Sequence, residues 1–187
     1  LEVVSAEEAT TRFRQHIDMS PRGVESVSLA DSLGRVLARD IGAPIDVPPF
    51  DRSGVDGFAV RAADTTGASD HAPCRLTLNR EAIACGHAPQ IEVQPGTATA
   101  LATGGVIPRG ADAVVMIEHT DLLDDAQAPA IALRRPAAPG QFIAYTGSDI
   151  ARGETLLRKG TLIGSREIGM LAACGIAHVD VVRRPKV

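Results

Sequence analysis

The stretch Asp51-Arg52-Ser53-Gly54-Val55-Asp56-Gly57 crowds two carboxylates, a guanidinium, a hydroxyl and two glycines between Pro48-Pro49-Phe50 and the apolar run Phe58-Ala59-Val60. Adjacent prolines fix the backbone near polyproline geometry and remove two N–H donors, so no regular helix or central strand runs on through them. The sequence predicts a tight polar loop delivered onto the start of a buried strand. A rigid entry, a glycine on either side of Val55-Asp56 and a buried exit would hold Asp56 in one direction, as a working carboxylate requires. The same residues suit an Asx-type turn in which Asp51 or Asp56 accepts only local backbone N–H bonds. The chemistry of the loop leaves both readings open.

Thr103-Gly104-Gly105 is the second candidate. Paired glycines let the backbone approach an anionic oxygen such as a phosphate's, and Thr103 adds a hydroxyl donor. A Gly-Gly hairpin turn between two strands is the simpler account of the same residues. No Gly-Lys-Ser/Thr follows, so this is no P-loop. Glu118-His119 reads as a solvated pair and Arg134-Arg135 as a charged strand edge.

The elements that must position these loops are legible in part. Ser5 with Glu8 three residues on, then Ala6, Ala9, Phe13 and Ile17 at helical spacing, predicts a first helix. Residues 24–29 alternate as a strand, and Leu29, Leu33, Val36 and Leu37 fall at the spacing of a second short helix. Residues 75–78, 81–84, 91–93, 97–102, 113–117 and 130–134 read as strands, with 121–129 an exposed turn. Turn-strand units follow at 153–157 and 160–163, then a helix with Ser165 as N-cap and Gly175 as its stop, then a strand over 177–182. Helices near both ends of a β-rich middle predict a mixed α+β, predominantly β chain. The two ends, 1–46 and 136–187, would build one discontinuous domain, and 47–135 an inserted β domain.

Composition narrows the function classes. With 187 residues, 44% of them apolar, the chain can build one large or two small cores. Aromatics at 3%, 18 glycines and 12 prolines predict many turns around cores of Val, Ile, Leu and Ala. A net charge of −4 gives no general attraction to nucleic acid or an anionic membrane. No apolar run approaches the ~20 residues of a membrane span and no signal layout opens the chain, so the cytoplasm is the expected location. A start at Leu1 suggests a trimmed N-terminus. Cys74, Cys85 and Cys174 are odd in number and lack a CxxC spacing, and the histidines lack an HExxH spacing, which argues against a disulfide framework or a zinc site.

Three segments in register resemble the N-terminal half of the molybdopterin molybdenumtransferases, the MoeA and gephyrin E-domain family. They are Pro49 to Ala59, Thr103 to Val115, and Gly147-Ser148-Asp149-Ile150 with Gly153-Glu154. The resemblance implies coiled β-sheets with an inserted β domain, and insertion of molybdate into the dithiolene of adenylylated molybdopterin with release of AMP. It places Asp56 and Thr103 in or beside the active site, with Ser53, Gly104 and Gly105 as substrate neighbours and Asp56 as a ligand for Mg2+. It implies a cytoplasmic homodimer whose site is shared between protomers. A C-terminal pterin-binding domain would begin where this chain ends and is absent from it, so the fragment alone is expected to be inactive. A non-catalytic dimerisation or partner-binding scaffold of the same fold is the alternative. Arg52 and Gly54 stand where the family commonly has Asn and Ala, and Ala144, Tyr145 and Thr146 where it commonly has basic residues.

Overall fold

The computed structural model describes residues 3–18, 20–123 and 128–185. Its contacts divide the chain into two units, Leu1–Pro44 with Gly153–Val187, and Ile45–Arg152. Residues 136–152, expected with the chain ends, pack instead within the second unit, because their backbone pairs with the Asp56 loop.

In the first unit, helix α1 (Ala6–Gln15) is capped by Ser5, whose hydroxyl accepts the Glu8 N–H at 3.1 Å. None of its residues is buried, and Phe13 is exposed. Strand β1 (Val24–Ser28) pairs antiparallel with the final strand, β12 (His178–Val182), from Val24↔Val182 to Ser28↔His178. The expected second helix does not form. A single 3₁₀ turn, Leu29–Asp31, is capped by Ser28, after which Gly34, at φ 70°, turns the chain into bridges pairing Val36 with Leu162 and Leu37 with Val181. Leu37 is thereby buried while Leu33 is left exposed, so tertiary pairing overrides helical spacing here. Short strands β2 (Ile41–Gly42) and β11 (Thr155–Leu157) pair antiparallel. Helix α2 (Ser165–Ala173) has Gly164 as its N-cap rather than Ser165; the Glu167 carboxylate accepts the Gly164 N–H at 2.9 Å. Its stop at Gly175, φ 73°, is as expected.

Leu37, Ile163, Leu171, Val179 and Val181 form the core of this unit. Leu37 is fully buried, so Leu37→Ala is expected to lower stability by about 2–5 kcal/mol in a urea unfolding curve.

The second unit is built on one curled six-stranded sheet. Its strands are β4 (Gly57–Val60), β5 (Cys74–Ile83), β6 (Thr97–Leu101), β7 (Ala113–Met116), β8 (Thr120–Leu123) and β9 (Ala130–Leu133), in the order β7-β4-β6-β5-β9-β8. All neighbours are antiparallel except β5 with β6. The two short strands expected over 75–84 are one strand with a register shift between Leu78 and Ala82. Residues 91–93 form no strand; Val93 is buried and its N–H is donated to the Arg109 carbonyl. The first three residues of the expected turn, 121–123, belong to the edge strand β8, and 124–127 lie outside the described residues. Arg134 pairs there with Asp121 at 2.6 Å.

Phe58, Val60, Leu76, Val115, Ile131 and Leu133 belong to one core cluster of this unit, and Ala59, Ile83, Leu101 and Val114 form another. Alternating residues of β4 thus go to different clusters, which accounts for the unbroken apolar run after the loop. Among the described residues no helix is long and apolar enough to cross a membrane.

Candidate active site

The loop before β4 is the middle of three paired segments. On one side, Gly104 donates its N–H to the Ser53 carbonyl, Ser53 to Gly105, and Ile107 to Asp51, at 2.8, 2.9 and 3.0 Å. On the other, strand β3 (Arg52–Ser53) pairs with β10 (Ile143–Ala144), and Gly54 donates to the Phe142 carbonyl at 2.9 Å. The entry is held by the third motif: Gly147 donates to the Pro48 carbonyl, and Asp149 and Ile150 to that of Val47. The structure brings the sequence segments around Asp56, Thr103 and Gly147 together in one unit.

Asp56 is exposed, at the point where the loop enters β4. Its Oδ1 accepts both the Thr103 N–H at 2.6 Å and the Thr103 hydroxyl at 2.8 Å. Oδ2 has no partner among the described residues. Neither Asp56 nor Asp51 makes a local turn. Asp51 Oδ1 accepts the Thr146 N–H and hydroxyl, at 2.8 and 2.9 Å, from a residue 95 positions away.

The Thr103 N–H, and after it the Thr103 hydroxyl, holds the Asp56 carboxyl below its ordinary range. A lowered folded value means that the bracket adds stability above the ordinary carboxylate pKa, and that this is lost as pH falls through the folded value. The Thr103 amide resonance, followed by NMR from neutral to acid pH, is expected to move with a midpoint below that of an unperturbed aspartate. A midpoint at the ordinary value would show that the bracket is absent in solution.

The other candidates have different roles. Ser53 is 2% exposed, and its hydroxyl donates to the Val55 carbonyl at 2.5 Å while accepting the Val55 N–H at 3.2 Å, so it shapes the loop from within. The Gly104 and Gly105 amides, expected to face an anion, are donated to the Ser53 and Ala102 carbonyls. Gly104 is needed for its φ of 79° and because a Cβ would stand 2.9 Å from Cys85 Sγ. That thiol in turn donates to the Thr103 carbonyl at 3.0 Å. Cys85 and Thr146 are contacts of the site to which the sequence assigned no such role; Cys85 was read only as an unpaired thiol, and Thr146 only as a departure beside the third motif.

Beside Asp56 opens an apolar recess of about 390 Å³, walled by Phe58, Ala82, Ala100, Ala102 and Ile117. Its size lies within the range of small-molecule sites. Among the described residues no three His, Cys, Asp or Glu side chains gather as a metal site. One exposed carboxylate oxygen nevertheless fits the habit of magnesium, which takes one or two protein carboxylates and completes its shell with water and phosphate oxygens.

The family described as MoeA N-terminal region (domain I and II) matches residues 4–175. A molybdopterin molybdenumtransferase of Bacillus subtilis (strain 168) is 45% identical over 163 residues, which are 87% of this chain and 38% of that protein. Molybdopterin molybdenumtransferase 2 of Mycobacterium tuberculosis (strain ATCC 25618 / H37Rv) is 40% identical over 162 residues, 87% of this chain and 39% of that protein. The crystal structure of the molybdopterin biosynthesis MoeA protein of Pyrococcus horikoshii OT3 matches with a TM-score of 0.86 at 41% identity, covering 98% of this chain and 47% of that one. The chain spans about two fifths of the length of these curated relatives. By sequence, by fold and by the joining of its three motifs, the chain belongs to the MoeA family and carries its N-terminal region.

Proposed function

We propose that this chain is the N-terminal part of a molybdenum-inserting transferase, which places molybdate in the dithiolene of adenylylated molybdopterin and releases AMP. The observation that carries the reading is Asp56: an exposed carboxylate with one oxygen clamped by Thr103 and the other without a partner among the described residues. Such a side chain is aimed before any ligand arrives, which is the condition for electrostatic work on a charged substrate.

Asp56 Oδ2 would hold Mg2+, and Thr103 would keep the carboxylate ionised and oriented. Bound magnesium supplies charge neutralisation at the phosphate oxygens of the adenylylated substrate. Ser53, Gly104 and Gly105 act on the substrate only through the loop they shape, since their polar groups are engaged within the protein. The remaining half of the site would come from a C-terminal pterin-binding domain, contributed across a cytoplasmic homodimer.

A non-catalytic scaffold remains the second reading. It is favoured by the internal use of the Gly104 and Gly105 amides and of the Ser53 hydroxyl. The test is to graft this chain in place of the matching N-terminal region of the Bacillus subtilis relative, and to measure AMP release and molybdenum cofactor formation from adenylylated molybdopterin and molybdate. Turnover by the graft supports the enzyme; a folded, dimeric and inactive graft supports the scaffold.

A further inference from the structure

Two aspartates five residues apart in one loop are gripped in the same way. Each offers Oδ1 to both the N–H and the hydroxyl of a threonine distant in sequence, Thr146 for Asp51 and Thr103 for Asp56. We propose that Thr146 is a positioning residue for Asp56, acting through Asp51 to fix the loop that presents the Asp56 carboxylate. The proposal rests on the reading of Asp56 as the substrate-facing carboxylate.

The loop is tied at several points, of which the Asp51 side chain is one. At its far end Gly57 is wedged in the sheet, where an added Cβ would lie 1.9 Å from the Val115 carbonyl oxygen. At its near end Pro48-Pro49 restrict the backbone. Between them, Asp51 is the residue whose side chain ties the loop to the segment 140–146. That segment is itself braced. Phe142 sits at φ 56°, a strained conformation for a bulky residue, and turns its carbonyl to the Gly54 N–H. Gly140, at φ 80°, leaves room for the Tyr145 hydroxyl, which would stand 2.8 Å from a Cβ there. A braced segment gripping one aspartate, five residues from a second that is gripped alike, couples the two brackets through a short and stiff stretch of chain.

Thr146 holds the loop through charge-assisted hydrogen bonds to a carboxylate.

The test uses this chain and amide hydrogen exchange followed by NMR. Because Thr103 is exposed and its N–H is donated to Asp56, its exchange rate reports the second bracket directly. Asp51→Ala, which removes the first bracket, is expected to quicken Thr103 exchange by about tenfold, with Phe58 and Leu76 in the sheet unaffected. Thr146→Val should move it in the same direction by less, and Thr146→Ser should leave it as in the parent chain. Thr103 exchange within about twofold of the parent in Asp51→Ala overturns the proposal, as does an equal quickening at Phe58, which marks general destabilisation. If Asp51→Ala does not fold, Thr146→Val decides on the same criterion. In the grafted enzyme, a fall in kcat for Thr146→Val at unchanged KM for molybdate supports the proposal. Quickened Thr103 exchange with unaltered turnover upholds the coupling of the brackets and counts instead against Asp56 as a working carboxylate.

Discussion

Replacing Gly57 with alanine is expected to lower stability by at least about 3 kcal/mol, or to prevent folding. The new Cβ would lie 1.9 Å from the Val115 carbonyl oxygen and 2.9 Å from its carbon, both backbone atoms with no rotamer to escape into. Gly57 opens β4 opposite Met116 of β7, so relieving the clash means parting β4 from β7, the strand at one end of the sheet order. Urea unfolding of the chain measures the loss directly, and a loss below about 1 kcal/mol would mean that the strands approach less closely than described. Gly57 is therefore a glycine of close packing.

How much of this was readable beforehand depends on where each group finds its partner. The rigid entry and the buried exit followed from Pro48-Pro49 and Phe58-Ala59-Val60, because those constraints are local, whereas the clamp on Asp56 comes from Thr103, distant in sequence. Ser53, Gly104 and Gly105 are polar or permissive residues in a plausible loop, but the partner of each N–H is set by tertiary pairing. The Gly104 amide faces the Ser53 carbonyl, a meeting of residues 51 positions apart that spacing alone does not encode. The Leu29 to Leu37 pattern fails for a related reason. Gly34 takes a positive φ, and the backbone of Val36 and Leu37 finds sheet partners in Leu162 and Val181, so apolar residues at helical spacing serve a different geometry. Both terminal helices were recognisable because capping and periodicity are local, although the second is capped one residue earlier than expected, at Gly164.

The other large effect concerns chemistry. In the grafted enzyme, Asp56→Ala is expected to lower the rate of molybdenum insertion by at least about tenfold, the scale for removing a positioned charged contact. The accompanying stability loss should be small, because the carboxylate is exposed and its bonds replace ones that Thr103 can make to water. A larger stability loss with insertion unchanged would make Asp56 a structural residue that fastens the Thr103 turn and nothing more.

Alanine removes the clamp and the charge together, whereas asparagine separates them. Asp56→Asn keeps an oxygen for the Thr103 N–H and hydroxyl but removes the negative charge from the unpartnered side. The most direct test is therefore the AMP release rate of the grafted enzyme carrying Asp56→Asn, with adenylylated molybdopterin and molybdate supplied. A fall of at least about tenfold with the Thr103 amide still protected is the predicted result; release at the rate of the unaltered graft would contradict the account.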